Sequence, residues 1–190
     1  LALEAARKID VVLFDKTGTL TKGEYGVEKI ISFGSGGDEK VLELAASVDS
    51  HSEHFVAQAI VKEARSRKIN ILPVSDFTRL PGKGVKGKVK NQTVFVGGEA
   101  ILEDADVKAP EWIKNQAQSL EEQGKTVIYV IAEREIMGLV ALADLIREES
   151  RSAIEALANL KIKVAMVTGD SEDVAAWVAS DLRVGEYFER

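Results

Sequence analysis

The stretch IDVVLFDKTGTLT, residues 9–21, decides how the rest of the chain is read. Ile9–Phe14 is short, almost wholly apolar and rich in β-branched residues, and Asp15 closes it. Such a run predicts a buried parallel strand that delivers a carboxylate at its carboxyl end, where open α/β sheets bind ligands. Thr17-Gly18-Thr19 predicts a turn directly after that carboxylate. The pattern recurs late in the chain, where apolar Val164–Val167 runs into Thr168-Gly169-Asp170. A helix from about Ser171 to Leu182 is expected next, with Asp170 or Ser171 placed to cap it. Before it, Glu148–Leu160 reads as a helix with Ile154, Leu157 and Ala158 on one face.

Between these two strand–turn units the texture changes. Helical patterns at Glu39–Val48 and Glu53–Arg67 precede strand-like runs at Leu72–Leu80, Val85–Val89 and Thr93–Val96. A further helix, Glu111–Gln123, leads to a hairpin of Thr126–Ala132 and Ile136–Ala143. Runs of strands beside runs of helices point to an α+β unit. The chain therefore reads as a Rossmann-like α/β domain (1–22 and 143–190) interrupted by an inserted domain (23–142). The hinges fall near Thr21–Glu24 and Ala143–Ile146.

Bulk properties narrow the function classes. The chain has 190 residues, 45% hydrophobic and 29% charged, which suits a globular core. A net charge of −6 argues against a nucleic-acid binder, and the absence of Cys excludes disulfides and thiolate metal sites. No apolar run approaches the ~18–20 residues that span a bilayer. Lys83, Lys86, Lys88 and Lys90 alternate along a strand and are expected to share an exposed face. Trp112 and Trp177 are expected to anchor packing.

A carboxylate at a strand end, followed by a turn whose N–H groups face it, can attack phosphorus and form an acyl phosphate. That chemistry needs a divalent cation and donors around the transferring oxygens. Aspartyl phosphatases of the haloacid dehalogenase-like superfamily usually carry a second Asp two residues after the nucleophile. Thr17 stands there instead and cannot act as acid or base near neutral pH. The acyl phosphate should then persist, which disfavours the rival reading of a small-molecule phosphatase. A stand-alone nucleotide-binding module is the other alternative.

Asp15–Thr21 matches the DKTGTLT signature of P-type ATPases letter for letter, and the chain resembles the heavy-metal (CPx-type) class of that family. The resemblance implies a truncated haloacid dehalogenase-like phosphorylation domain around an inserted nucleotide-binding domain with an antiparallel sheet and helices. It makes Asp15 the phosphorylated nucleophile and gives Mg2+ the Asp15 carboxylate and the Thr17 carbonyl. Lys16, Thr19, Thr168 and Gly169 would contact the phosphoryl group, with Asp170 beside them. Asp144-Leu145-Ile146-Arg147 resembles the hinge segment, where Asp144 and Arg147 meet the nucleotide or order the hinge. Read on its own, Asp144 is equally a helix cap.

Ser52-Glu53-His54 and Pro81-Gly82-Lys83-Gly84 resemble the class's SEHP motif and Gly-x-Gly turn. The implied ATP-site residues are Asp49, Glu53, His54, Gly82, Gly84, Val85 and Gly97. Glycines there would let the backbone approach a flat ligand. Two positions depart from the class: Phe55 replaces Pro and Gly98 replaces Asn. Phe55 is expected to bury against Ala59 and Ile60, and the two changes together to weaken nucleotide affinity. The resemblance further implies a cytosolic part of an integral membrane protein, with copper the expected cargo of the membrane portion. The actuator domain of the same parent would be a partner. The GDGxNDxP segment would follow the present carboxyl end, so the chain alone should turn over poorly.

Overall fold

A computed structural model of the chain describes residues 9–169 and 172–189. Asp170 and Ser171, expected in the second turn and as helix cap, lie outside the described residues. The chain divides into two compact units, Leu1–Glu24 with Glu122–Gly124 and Asp144–Arg190, and Tyr25–Glu121 with Lys125–Ala143.

The first unit is built on a parallel sheet. Strand β1 (Val11–Asp15) pairs with β8 (Lys163–Thr168), which pairs with β9 (Glu186–Glu189), in the order β1-β8-β9. Helices α5 (Glu148–Asn159) and α6 (Glu172–Leu182) pack on it and close a core of Leu20, Ile154, Met166, Val178 and Leu182. The expected burial of β1 is corrected: Val11 and Leu13 are 54% and 58% exposed. As an edge strand, β1 turns these residues to a face that no described element covers. Strand β9 was not foreseen, because Glu186-Tyr187-Phe188-Glu189 is too short to show a period.

The second unit surrounds an antiparallel sheet. It comprises β2 (Thr21–Ser32), β3 (Val74–Leu80), β4 (Gly84–Val89), β5 (Gln92–Gly97), β6 (Thr126–Ala132) and β7 (Glu135–Ile146), in the order β2-β7-β6-β5-β4-β3. Helices α1 (Gly37–Asp49) and α2 (Phe55–Ser66) cover one face. A short α3 (Ile101–Asp104) and α4 (Glu111–Glu121) cover the other. Strand β6 shows why: Ile128, Val130 and Ala132 enter the first core while Val127, Tyr129 and Ile131 enter the second. Side chains alternate faces along a strand, so an unbroken apolar run marks one buried on both sides. On β4, Val85, Gly87 and Val89 are buried while Lys86 and Lys88 are more exposed, and Lys88 pairs with Asp76 at 2.9 Å. Trp112 anchors little; it is 52% exposed and meets Phe33 edge-on at 4.9 Å.

Candidate functional site

The turn after β1 is fixed by its own sequence. Thr17 (φ −75°, ψ 122°) and Gly18 (φ 79°, ψ −11°) occupy the central positions of a type II turn, whose second central residue needs positive φ and hence Gly. Thr21 N–H closes the loop by donating to the Lys16 carbonyl. Because β1 and β8 are parallel with Asp15 opposite Val167, Asp15 and Thr168-Gly169 share the carboxyl edge of one sheet. Asp15, Thr17, Thr19 and Gly169 are exposed there, whereas Thr168 is buried.

A polar net beneath the turn holds it. Lys16 is 2% exposed, and its Nζ lies 3.3 Å from Asp144 Oδ2. The Thr21 hydroxyl donates to the same oxygen at 2.6 Å and sits 3.1 Å from the Lys16 carbonyl. Arg147 Nε donates to the Thr21 carbonyl at 3.0 Å, and its Nη2 to the Gly18 carbonyl at 3.3 Å. Ser150 Oγ and Arg147 N–H both donate to the Leu20 carbonyl, at 2.9 and 3.1 Å. These bonds engage the carbonyls of Lys16, Gly18, Leu20 and Thr21 and leave the carboxylate of Asp15 facing outward. Asp144 Oδ1 is buried without a hydrogen-bond partner among the described residues. Asp144 lies within β7, one residue beyond the expected end of the hairpin, and Arg147 is the N-terminal cap residue of α5. The reading of Asp144 as a helix cap is thereby corrected. Lys16, expected at the phosphoryl group, ion-pairs with Asp144 on the buried side of the turn.

The second unit contains a cavity of about 580 Å³, within the usual range for a small-ligand site. Asp49, His54, Gly82, Gly84, Val85 and Gly97 line it. Glu53 does not: it is exposed, and its carbonyl accepts from Gln58 Nε2 at 3.2 Å. Asp144 and Arg147 belong to the other unit. Asp49 ends α1 and is 4% exposed; burial pushes its carboxyl up to about 7. His54 is the N-cap of α2, its Nδ1 accepting from Val56 N–H at 3.4 Å. Lys83, also in the wall, is committed to Glu103 and Asp104 at 3.0 and 2.8 Å, and these carboxylates hold its ammonium above the usual lysine range.

The glycines also serve the strands and the turn themselves. Gly84 and Gly97 face each other across β4 and β5, and a Cβ on either would collide with backbone oxygen, Val96 O or Lys83 O. They permit close approach of two strands, and so form a main-chain wall. Gly82 (φ +73°) follows Pro81 in the turn closed by Lys83 N–H on Leu80 O at 3.0 Å, the residue order of a type II turn.

Phe55 also departs from expectation. It is 54% exposed instead of buried against Ala59 and Ile60, stacks on His54 at 4.3 Å and tilts against Tyr25 at 4.9 Å. Sequence reasoning missed Tyr25, Arg79, Thr126 and Ile128 as wall residues. For Tyr25 a signal existed: Tyr25 and Val27 alternate with Glu24, Gly26 and Glu28, the period of a strand. Nothing local marks Thr126 and Ile128, which reach the cavity through the pairing of β6 with β5.

Comparison with known proteins agrees with this architecture. Residues 9–190 match the haloacid dehalogenase-like hydrolase family. The chain is 42% identical over 187 residues to the copper-exporting P-type ATPase B of Archaeoglobus fulgidus, covering 98% of this chain and 26% of that protein. A crystal structure of a zinc-transporting PIB-type ATPase in the E2·Pi state superposes with a TM-score of 0.90 at 32% identity, covering 99% of this chain and 30% of that one. The catalytic domain of the CPx-ATPase CopB-B, described in connection with conformational changes upon nucleotide binding, gives a TM-score of 0.67 at 29% identity, over 99% and 64% of the two chains. The chain thus spans about a quarter of the length of the curated relatives it matches. It belongs to the haloacid dehalogenase-like hydrolase family, and its relatives there are heavy-metal P-type ATPases.

Proposed function

We propose that this chain is the ATP-binding and phosphoryl-accepting part of a P-type ATPase that moves a heavy-metal cation, copper being the cargo named for several relatives. The observation that carries the reading is the Asp15 carboxylate, exposed at the carboxyl edge of a parallel sheet beside Thr168-Gly169, on a turn fixed from below. One Asp15 oxygen attacks the γ-phosphorus of ATP, the bond to the bridging oxygen of ADP breaks, and ADP leaves with that electron pair. The Thr19 hydroxyl and the backbone around Gly169 supply donors to the transferring oxygens. Thr17, standing where an acid–base group would serve, leaves the aspartyl phosphate intact.

An exposed carboxylate with a neighbouring carbonyl fits Mg2+, which is commonly held by one or two carboxylates with water and phosphate oxygens completing the shell. Asp15 and the Thr17 carbonyl would hold it, and it would neutralise charge on the phosphate oxygens. The cavity suits the nucleoside: Val85, Val96 and Ile128 give apolar walls and Asp49 a polar contact. Copper or a related ion would be bound by a membrane portion of the parent, with the actuator domain as a further partner. Among the described residues no helix is long and apolar enough to cross a membrane. The test is incubation of a longer chain, extended toward its relatives' full length, with labelled ATP and magnesium. Acid-stable, hydroxylamine-labile label that is lost in Asp15→Asn is expected; label surviving that substitution overturns the reading.

A further inference from the structure

Phe55 is an odd residue for its position. It opens α2, where Pro is well suited, and leaves half its surface uncovered although Phe normally buries its ring. It packs on two other cavity-wall rings, Tyr25 from β2 and the capping His54. The other described ring contacts, Phe33–Trp112 and His51–Phe77, involve no residue of the cavity wall. The three clustered rings therefore form a ledge lining a ligand-sized space, whose wall also carries aliphatic side chains and strand backbone.

Such a ledge matches a planar, uncharged, polarisable ring. Aromatic faces bind bases through dispersion and offset stacking without needing donors or acceptors in register. His54 strengthens this geometry because its Nδ1 is tied to Val56 N–H, which fixes the ring beside Phe55. An anionic group such as a phosphate would gain nothing from these ring faces, whose π clouds are negative; the cations of the wall, Arg79 and Lys83, lie on the turn and strand around Pro81.

We propose that Phe55, with Tyr25 and His54, is the stacking surface for the base of the bound nucleotide, so that Phe55 strengthens and helps to select that ligand. The inference rests on the cavity being the nucleotide site. It also reverses the expectation that losing Pro at this position weakens binding, since His54 still caps the helix and the new ring adds a contact.

Calorimetric titration of the chain with ATP, adenosine and tripolyphosphate separates the alternatives. Phe55→Ala should bind ATP and adenosine about tenfold more weakly, a typical loss for one stacked base, and tripolyphosphate unchanged. Phe55→Tyr should restore binding, whereas Phe55→Leu, which keeps apolar bulk without a π face, should not. In Phe55→Trp with Trp112→Phe and Trp177→Phe, the remaining indole emission should change on adding adenosine. Equal affinity of Phe55→Ala and the unaltered chain for ATP overturns the proposal while the nucleotide reading stands. So does full rescue by Leu, or a loss that extends equally to tripolyphosphate. Failure of the unaltered chain to bind any adenine nucleotide removes the cavity reading itself, and this proposal with it.

Discussion

Two buried carboxyl groups, Asp144 beneath the turn and Asp49 in the cavity wall, are treated in opposite ways. Asp144 receives an ammonium and a hydroxyl on Oδ2, while its Oδ1 has no hydrogen-bond partner among the described residues. Asp49 is as deeply buried, yet no described residue hydrogen-bonds its carboxyl, and burial alone raises its proton affinity. The contrast teaches that the first carboxylate is tied into the scaffold, whereas the second borders the cavity and holds its proton to higher pH.

The comparison breaks most visibly at Asp144. Asp144→Ala removes the carboxylate that the buried Lys16 ammonium and the Thr21 hydroxyl share, and loss of about 3–5 kcal/mol of unfolding free energy is expected in a urea titration. A loss below about 1 kcal/mol, the range of an exposed ion pair, would show that the pair is solvated and the turn held otherwise. The cavity side depends instead on main-chain approach. Gly97→Ala sets a methyl against Lys83 O and should cost about 1–3 kcal/mol, with nucleotide binding reduced in step, as read by thermal melting with and without ATP. Unchanged melting would mean that the strands part freely at this point.

The third test has the opposite sign and the smallest size. The folded-state pKa of Asp49, about 7, lies above the unfolded value of 3.8, so the folded chain keeps this proton to higher pH. Stability of the unaltered chain should therefore decline as pH rises from about 4 to 7, with the penalty complete above 7. Asp49→Asn, which carries no charge to desolvate, should gain relative stability over the same window, on the order of 1–2 kcal/mol once relaxation is allowed for. Parallel stability curves for the two proteins between pH 4 and 8 would show that the carboxylate is solvated through the cavity.

The sequence was most legible where one segment does everything. Ile9–Thr21 contains strand, turn and carboxylate in contiguous order, and its Gly18 can be deduced from the turn alone. The pairing of Lys16 with Asp144 was not legible, because the two residues are 128 positions apart and meet only after both strands form. The cavity was legible in fragments. His54 at a helix start and the Pro81–Gly84 turn announce themselves, but the wall closes only when β2, β5 and β6 take their places. Periodicity identified β6 as a strand without saying that its first residues would face a ligand. Phe55 was misread for a related reason: helix spacing placed it near Ala59 and Ile60, yet an N-terminal residue can swing outward and found two rings there.

The facing pair Gly84 and Gly97 has a consequence for how this protein could diversify. Part of the cavity surface is peptide backbone, common to every amino acid, and neither glycine can acquire a side chain without collision. Mutation is therefore denied a handle on that surface, and any drift in ligand preference has to be written at the remaining lining positions, such as Tyr25, Phe55 and Arg79.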